Sequence, residues 1–219
     1  MYARTNVRLA IGIVGMVGVG AVASVAAGQL TRSHAYVAMV ADVHRDAPED
    51  MGLLPTAIAE AKGAAVYAKQ AAASKDLAAI KLYSGHVLNA VDAGQFPDGP
   101  GLAFGVKRAA QDSADTIEMA AKTEAASANI KTHAVHVAAS ARNTVARADK
   151  IVALGKQILA ATAVPEASKL AAQMVTLTEQ LLTGVDANGD GQIGWQENEG
   201  GLSQAQQHLA LLKKGENLS

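Results

Sequence analysis

The chain has no cysteine. That removes disulfides, thiolate metal centres and cysteine nucleophiles together, and it is neutral about compartment, because exported proteins also fold without disulfides. Aromatic residues are scarce, at 3% of 219 positions. Few aromatic or β-branched runs are available to build strands. Half of the residues are apolar and alanine dominates them, which favours helices that pack closely. An all-α protein is expected. A basic stripe is also missing. The 19 lysines and arginines are mixed with 20 acids, for a net charge of −1, so no phosphate-contacting surface for nucleic acid is expected. There is no nucleophile elbow, phosphate-binding loop or dinucleotide fingerprint. The glycines of "DGPGLAFGV" (98–106) follow a helical stretch instead of the strand a dinucleotide turn requires. A non-enzymatic role is expected.

One segment lacks charge altogether. "LAIGIVGMVGVGAVASVAAG" (9–28) follows Arg4 and Arg8, and about 20 helical residues span a bilayer core of roughly 30 Å. Two readings stand. Ala21-Val22-Ala23 has the small-x-small pattern of a cleaved secretory signal; the length of the run favours a retained single-pass anchor. Either sends the bulk of the chain across a cytoplasmic membrane, to the periplasmic or extracellular side. Gly12, Gly15, Gly18 and Gly20 give the segment a small-residue face that suits packing against a partner's helix, although signal segments are often rich in such residues.

The remainder reads as helices with short punctuation. Residues 30–47 extend the first segment as a stalk that Pro48 and Gly52 break. Pro55 suits the first turn of a helix over 56–73, and Ser74 is a candidate cap for one over 75–92. Residues 93–105, with two prolines and four glycines, form a loop. From 106 to 161 there is no proline, and a bend near 125–128 makes two antiparallel helices of that run. Helices over 166–182 and 202–213 follow. The expected fold is an up-and-down bundle of four to five helices, with a segment 1–29 for membrane or export, a bundle 30–183 and a C-terminal unit 184–219. Asp112, Asp115 and Glu118 recur one turn apart and read as a solvated acidic face.

"DANGDGQIGWQE" (186–197) stands apart from this alanine-rich texture. Asp186, Asn188 and Asp190 offer side-chain oxygens at alternate positions, Gly191 permits a sharp turn, Gln192 offers its backbone carbonyl, and Glu197 closes the stretch with a carboxylate. Three carboxylates and neutral oxygens, with no sulfur or imidazole, suit a hard divalent cation. The pattern D-x-N-x-D-G-x-I-x-x-x-E resembles the calcium loop of the EF-hand family. The resemblance implies calcium held by Asp186, Asn188, Asp190, Gln192 and a bidentate Glu197. It covers only this loop; no second loop pairs with it, and Gly200 and Gly201 interrupt the exit helix. Those departures favour a structural clip for the last helix over a calcium-responsive sensor.

Six histidines remain to be placed. His133 and His136 lie one turn apart in "KTHAVHVAAS", and His86 lies in "YSGHVLN". If their helices were neighbours, the three would form a haem or transition-metal site inside the bundle. Two function classes follow. One is a membrane-anchored accessory or interaction subunit with structural calcium; the other is a periplasmic haem- or metal-binding bundle that uses the histidines.

Overall fold

A computed structural model describes residues 31–218. The membrane or signal segment expected at 9–28 lies outside them. Among the described residues there are seven α-helices and no strand: α1 (Arg32–Ala41), α2 (Leu53–Ala73), α3 (Leu77–Val91), α4 (Val106–Lys122), α5 (Ala128–Ala160), α6 (Val164–Thr183) and α7 (Leu202–Gly215). The protein is an all-α helical bundle, with more helices than the four to five expected of it. None of the described helices is long and apolar enough to cross a membrane.

Local signals set most helix ends. The Ser127 hydroxyl caps α5 by accepting the Ile130 N–H, which places the break between α4 and α5 at 123–127. Pro165 sits in the first turn of α6, where no backbone donor is lost. Two ends differ from expectation. Asp76, not Ser74, caps α3, accepting the Ala79 N–H at 2.9 Å; Ser74 instead ends α2, its hydroxyl donating to the Gln70 carbonyl. The stalk over 30–47 also ends early, at Ala41. There the chain doubles back, pairing Val43 with Met51, and Gly52 lies so close to the Ala41 carbonyl that a Cβ would sit 2.5 Å from it.

Small side chains let the helices approach. On α2, Ala57, Ala61, Ala64, Ala68 and Ala71 recur at spacings of three and four, and all are fully buried. Gly155 of α5 lies beneath Leu88 of α3, where a Cβ would come within 2.5 Å of the leucine methyl. Ion pairs record the antiparallel run of α4 and α5: Lys107 meets Asp149 at 2.7 Å, and Arg142 meets both Asp115 and Glu118. Two of the three acids read as a solvated face thus pair with α5, and hydrogen bonding from Arg142 lowers the Glu118 pKa. α7 also lies antiparallel on α5, and its Leu202, Ala205, Leu209 and Leu212 join the common core.

One buried charge organises the long loop. Glu60 on α2 is 2% exposed. Its carboxylate accepts the N–H groups of Leu102 (3.4 Å), Phe104 (3.0 Å) and Gly105 (2.9 Å). It therefore anchors the turn that enters α4, close to the positive end of that helix's dipole, which favours a negative charge. Glu60→Ala strands the buried donors of Phe104 and Gly105. The expected loss is about 3 kcal/mol, measured as a lower urea midpoint at unchanged slope, with Glu60→Gln intermediate.

Candidate metal centre

One face of α5 receives the C-terminal segment of the chain. His133, His136, Ser140, Asn143 and Arg147 follow each other at helical spacings of three and four. At one end of this stripe, Arg147, 5% exposed, donates to the backbone carbonyls of Asn198, Glu199 and Gly200. Its charge is balanced by peptide dipoles, not by a carboxylate, and burial lowers its pKa. Asn143 grips the same segment from both sides: its Nδ2 donates to the Gln196 carbonyl at 2.7 Å, and its Oδ1 accepts the Asn198 N–H at 2.9 Å. Gly200 lies against Ser140, where a Cβ would be 2.5 Å from the hydroxyl. Gly200 thus lets the backbone cross α5 closely, and Gly201 lets it pass the end of α6, where a Cβ would fall 2.5 Å from the Gly184 nitrogen. The clasp seen between loop and bundle is made by protein side chains.

At the other end of the stripe, three imidazoles meet. His208 of α7 places its Nδ1 3.2 Å from His133 Nδ1 and 3.3 Å from His136 Nδ1. One ligand nitrogen from each ring can be chosen so that all three lie within 4.8 Å of one another. Among the described residues this is the one such convergence of three histidine or acidic side chains. The two short separations match a metal edge. Nitrogens held about 2.0–2.1 Å from a tetrahedral zinc ion stand about 3.3–3.4 Å apart. All three rings are half-buried. Trp195 lies over His136, with ring centroids 4.0 Å apart and planes tilted by 21°.

Burial and mutual repulsion disfavour the protonated forms of His136 and His208. Burial, then the neighbouring His136 and His133, push the His208 pKa down to about 4; burial, then His133, lower that of His136. Neutral imidazoles are the form that binds metal. The same shift fixes a pH dependence for metal-free protein. The unfolded chain takes up these protons near the ordinary pKa of 6.5, so stability is complete above that pH and falls as pH drops towards 4. Thermal melts in chelator between pH 7.5 and 4 are expected to show this decline, and a His208→Asn variant to show less of it.

The sequence-predicted triplet is divided. His133 and His136 come together, but with His208 in place of His86. His86 lies between Tyr67 and Tyr83, ring centroids 5.0 and 5.9 Å away, with its Nδ1 buried and unpartnered. α3 does pack on α5, but around Gly155. That glycine is nineteen residues beyond His136, or about 28 Å along a helix. His208 carried no spacing signal, standing alone in "QAQQHLALL". Only the pairing of α5 with α7 reveals it.

The acidic loop is half organised. Asp186 accepts the N–H groups of Gly189, Asp190 and Gly191 at 2.7–3.2 Å, and Asn188 and Asp190 make similar short turns. Gly189 and Gly191 supply the positive φ angles of 79° and 85°. Glu197 is exposed, as is Gln192. From the C-terminal side it is the Glu199 carboxylate, on a residue 4% exposed, that reaches the loop backbone: its Oε2 accepts the Gly194 N–H at 2.9 Å. Its role carried no sequence signal, because it falls two residues past the repeating pattern.

Comparison with protein-family models, curated proteins and solved structures finds no match to the chain.

Proposed function

We propose that this protein is a metal-binding helical bundle that holds one borderline divalent ion, such as zinc, cobalt or copper, through His133, His136 and His208. The observation that carries the reading is the 3.2 and 3.3 Å spacing of imidazole nitrogens contributed by two helices. Imidazole suits this class of ion. No fourth histidine or acid joins the three among the described residues, so a fourth position is left for water or an exchangeable ligand. The geometry favours a bare ion over haem. Two axial nitrogens on opposite faces of a haem, each about 2 Å from iron, would stand about 4 Å apart. A cobalt titration tests the reading. One equivalent of Co2+ is expected to give the intense visible absorption of a tetrahedral centre, and a spectrum unchanged from aqueous Co2+ would end it.

Two features of the sequence extend the proposal. Residues 9–28 tether or export the bundle, placing it on the periplasmic or extracellular side of a cytoplasmic membrane as a non-enzymatic subunit whose small-residue face meets a partner. The 186–197 loop takes calcium as a structural ion, not as a sensor, through Asp186, Asn188, Asp190, Gln192 and Glu197. The inward turns of Asp186, Asn188 and Asp190 support the loop reading; the exposure of Glu197 means that this side chain has to swing inward on binding. Calcium at millimolar concentration is expected to raise the melting temperature of the wild type but not of Glu197→Gln. An equal response in both would remove Glu197 from the site.

A further inference from the structure

Trp195 is the chain's only tryptophan, and its place is dictated from both sides. Before it, the Gly194 N–H donates to the buried Glu199 carboxylate; a Cβ at Gly194 would fall within 3.1 Å of that carboxylate. After it, the Gln196 carbonyl accepts from Asn143 of α5. The indole so fixed lies flat on His136, 4.0 Å between centroids. Asn143 is two helical turns from His136 on the same helix. Helix and loop therefore form a closed frame around one imidazole.

An imidazole on a helix surface rotates broadly about its last torsion. A ligand left free to rotate must lose that freedom when the ion binds. A flat indole removes it beforehand, with the His136 Nδ1 already turned towards that of His208. Metal binding also draws electron density from the ring, and tryptophan offers the best aromatic face for a partly positive group.

We propose that Trp195 is a positioning residue of the three-histidine centre, and that through it the 185–201 segment acts as a lid that slows escape of the ion. This rests on the reading of His133, His136 and His208 as a metal centre. Loss of a group that orients a ligand typically weakens metal affinity about 10- to 100-fold.

The test is release of Zn2+ from the full chain to excess chelator, followed in stopped flow. Trp195→Ala is expected to release zinc about 10- to 100-fold faster than wild type, with Trp195→Phe between them. A release rate in Trp195→Ala equal to that of the wild type, with zinc bound at one equivalent in both, would overturn the lid while leaving the centre intact. Wild type that binds no zinc would overturn both. A second measurement needs no variant. Co2+ at the centre is expected to quench Trp195 emission in step with its visible absorption, saturating at one equivalent. Absorption that develops with no change in emission would place the tryptophan away from the ion and sink the proposal.

Discussion

Zinc at a thousandfold excess over its dissociation constant is expected to raise the melting temperature of the wild type by about 10 °C, and that of His208→Ala by none. Binding to the native state alone stabilises it by about 4 kcal/mol at that excess. For a chain of this size each kcal/mol corresponds to about 2–4 °C. His208 is the decisive residue because its nitrogen is shared by both short contacts and because it comes from a different helix than the other two. Without it, His133 and His136 remain as an adjacent pair on α5, which grips an ion far more weakly and no longer joins α5 to α7. The variant also checks that the effect is specific. His208 is half-buried, so its removal alone is expected to cost the metal-free protein little. His86→Ala, altered outside the cluster, is expected to keep the full zinc response. A zinc-induced shift that survives in His208→Ala would show that the ion binds elsewhere.

Replacement of Arg147 by methionine is expected to destabilise the protein by about 2 kcal/mol and to free the C-terminal loop. Two effects oppose each other. Removing a buried guanidinium with no carboxylate partner relieves its desolvation. Against that, three carbonyls lose the guanidinium. The Asn198 carbonyl belongs to an exposed residue and can turn to water, and the Glu199 carbonyl keeps the Val185 N–H at 3.0 Å, but the Gly200 carbonyl is buried and left without a donor. The one stranded acceptor, at about 1–3 kcal/mol, outweighs the relief, much of which the methionine's poorer fit to the polar site gives back. Arg147→Lys keeps the charge but replaces a planar fork with a single ammonium, and an intermediate loss is expected. Thermal melts give the magnitude. Limited proteolysis gives the location, with cleavage expected to concentrate within 185–200 in Arg147→Met. A variant as stable and as resistant as wild type would mean that the loop's own turns hold it without α5.

Much of the helical order was open to view because its causes are local. Alanine content, the absence of strand formers, the glycine- and proline-rich 93–105 stretch and the thinning of apolar anchors near 125–128 all act within a few residues of where they are read. Where two signals competed over the same few positions, as with Ser74 and Asp76, the outcome depended on which side chain reached a free N–H, and Asp76 reached that of Ala79. The break after α1 was visible at Pro48 and Gly52, but its position at Ala41 was not. It is set by Gly52 folding back against Ala41, a contact eleven residues away in the chain.

The candidate site divides along the same line. The turn-long spacing of His133 and His136 and the alternating oxygens of 186–190 are properties of the sequence by itself, because a helix or a tight turn converts spacing directly into proximity. Which third histidine completes the pair is not. His86 and His208 both lie on helices that pack against α5, and only the position along α5 at which each helix crosses separates them: α3 crosses near Gly155, and α7 runs beside His133 and His136. The same holds for Arg147, Asn143 and Trp195. In the sequence they are an arginine and an asparagine in an alanine-rich helix and an aromatic residue in an acidic loop. The antiparallel docking of the C-terminal segment on one face of α5 makes them a clamp and a lid, because side-chain partners fifty to sixty residues apart are chosen by how helices pack and not by any local preference of the chain.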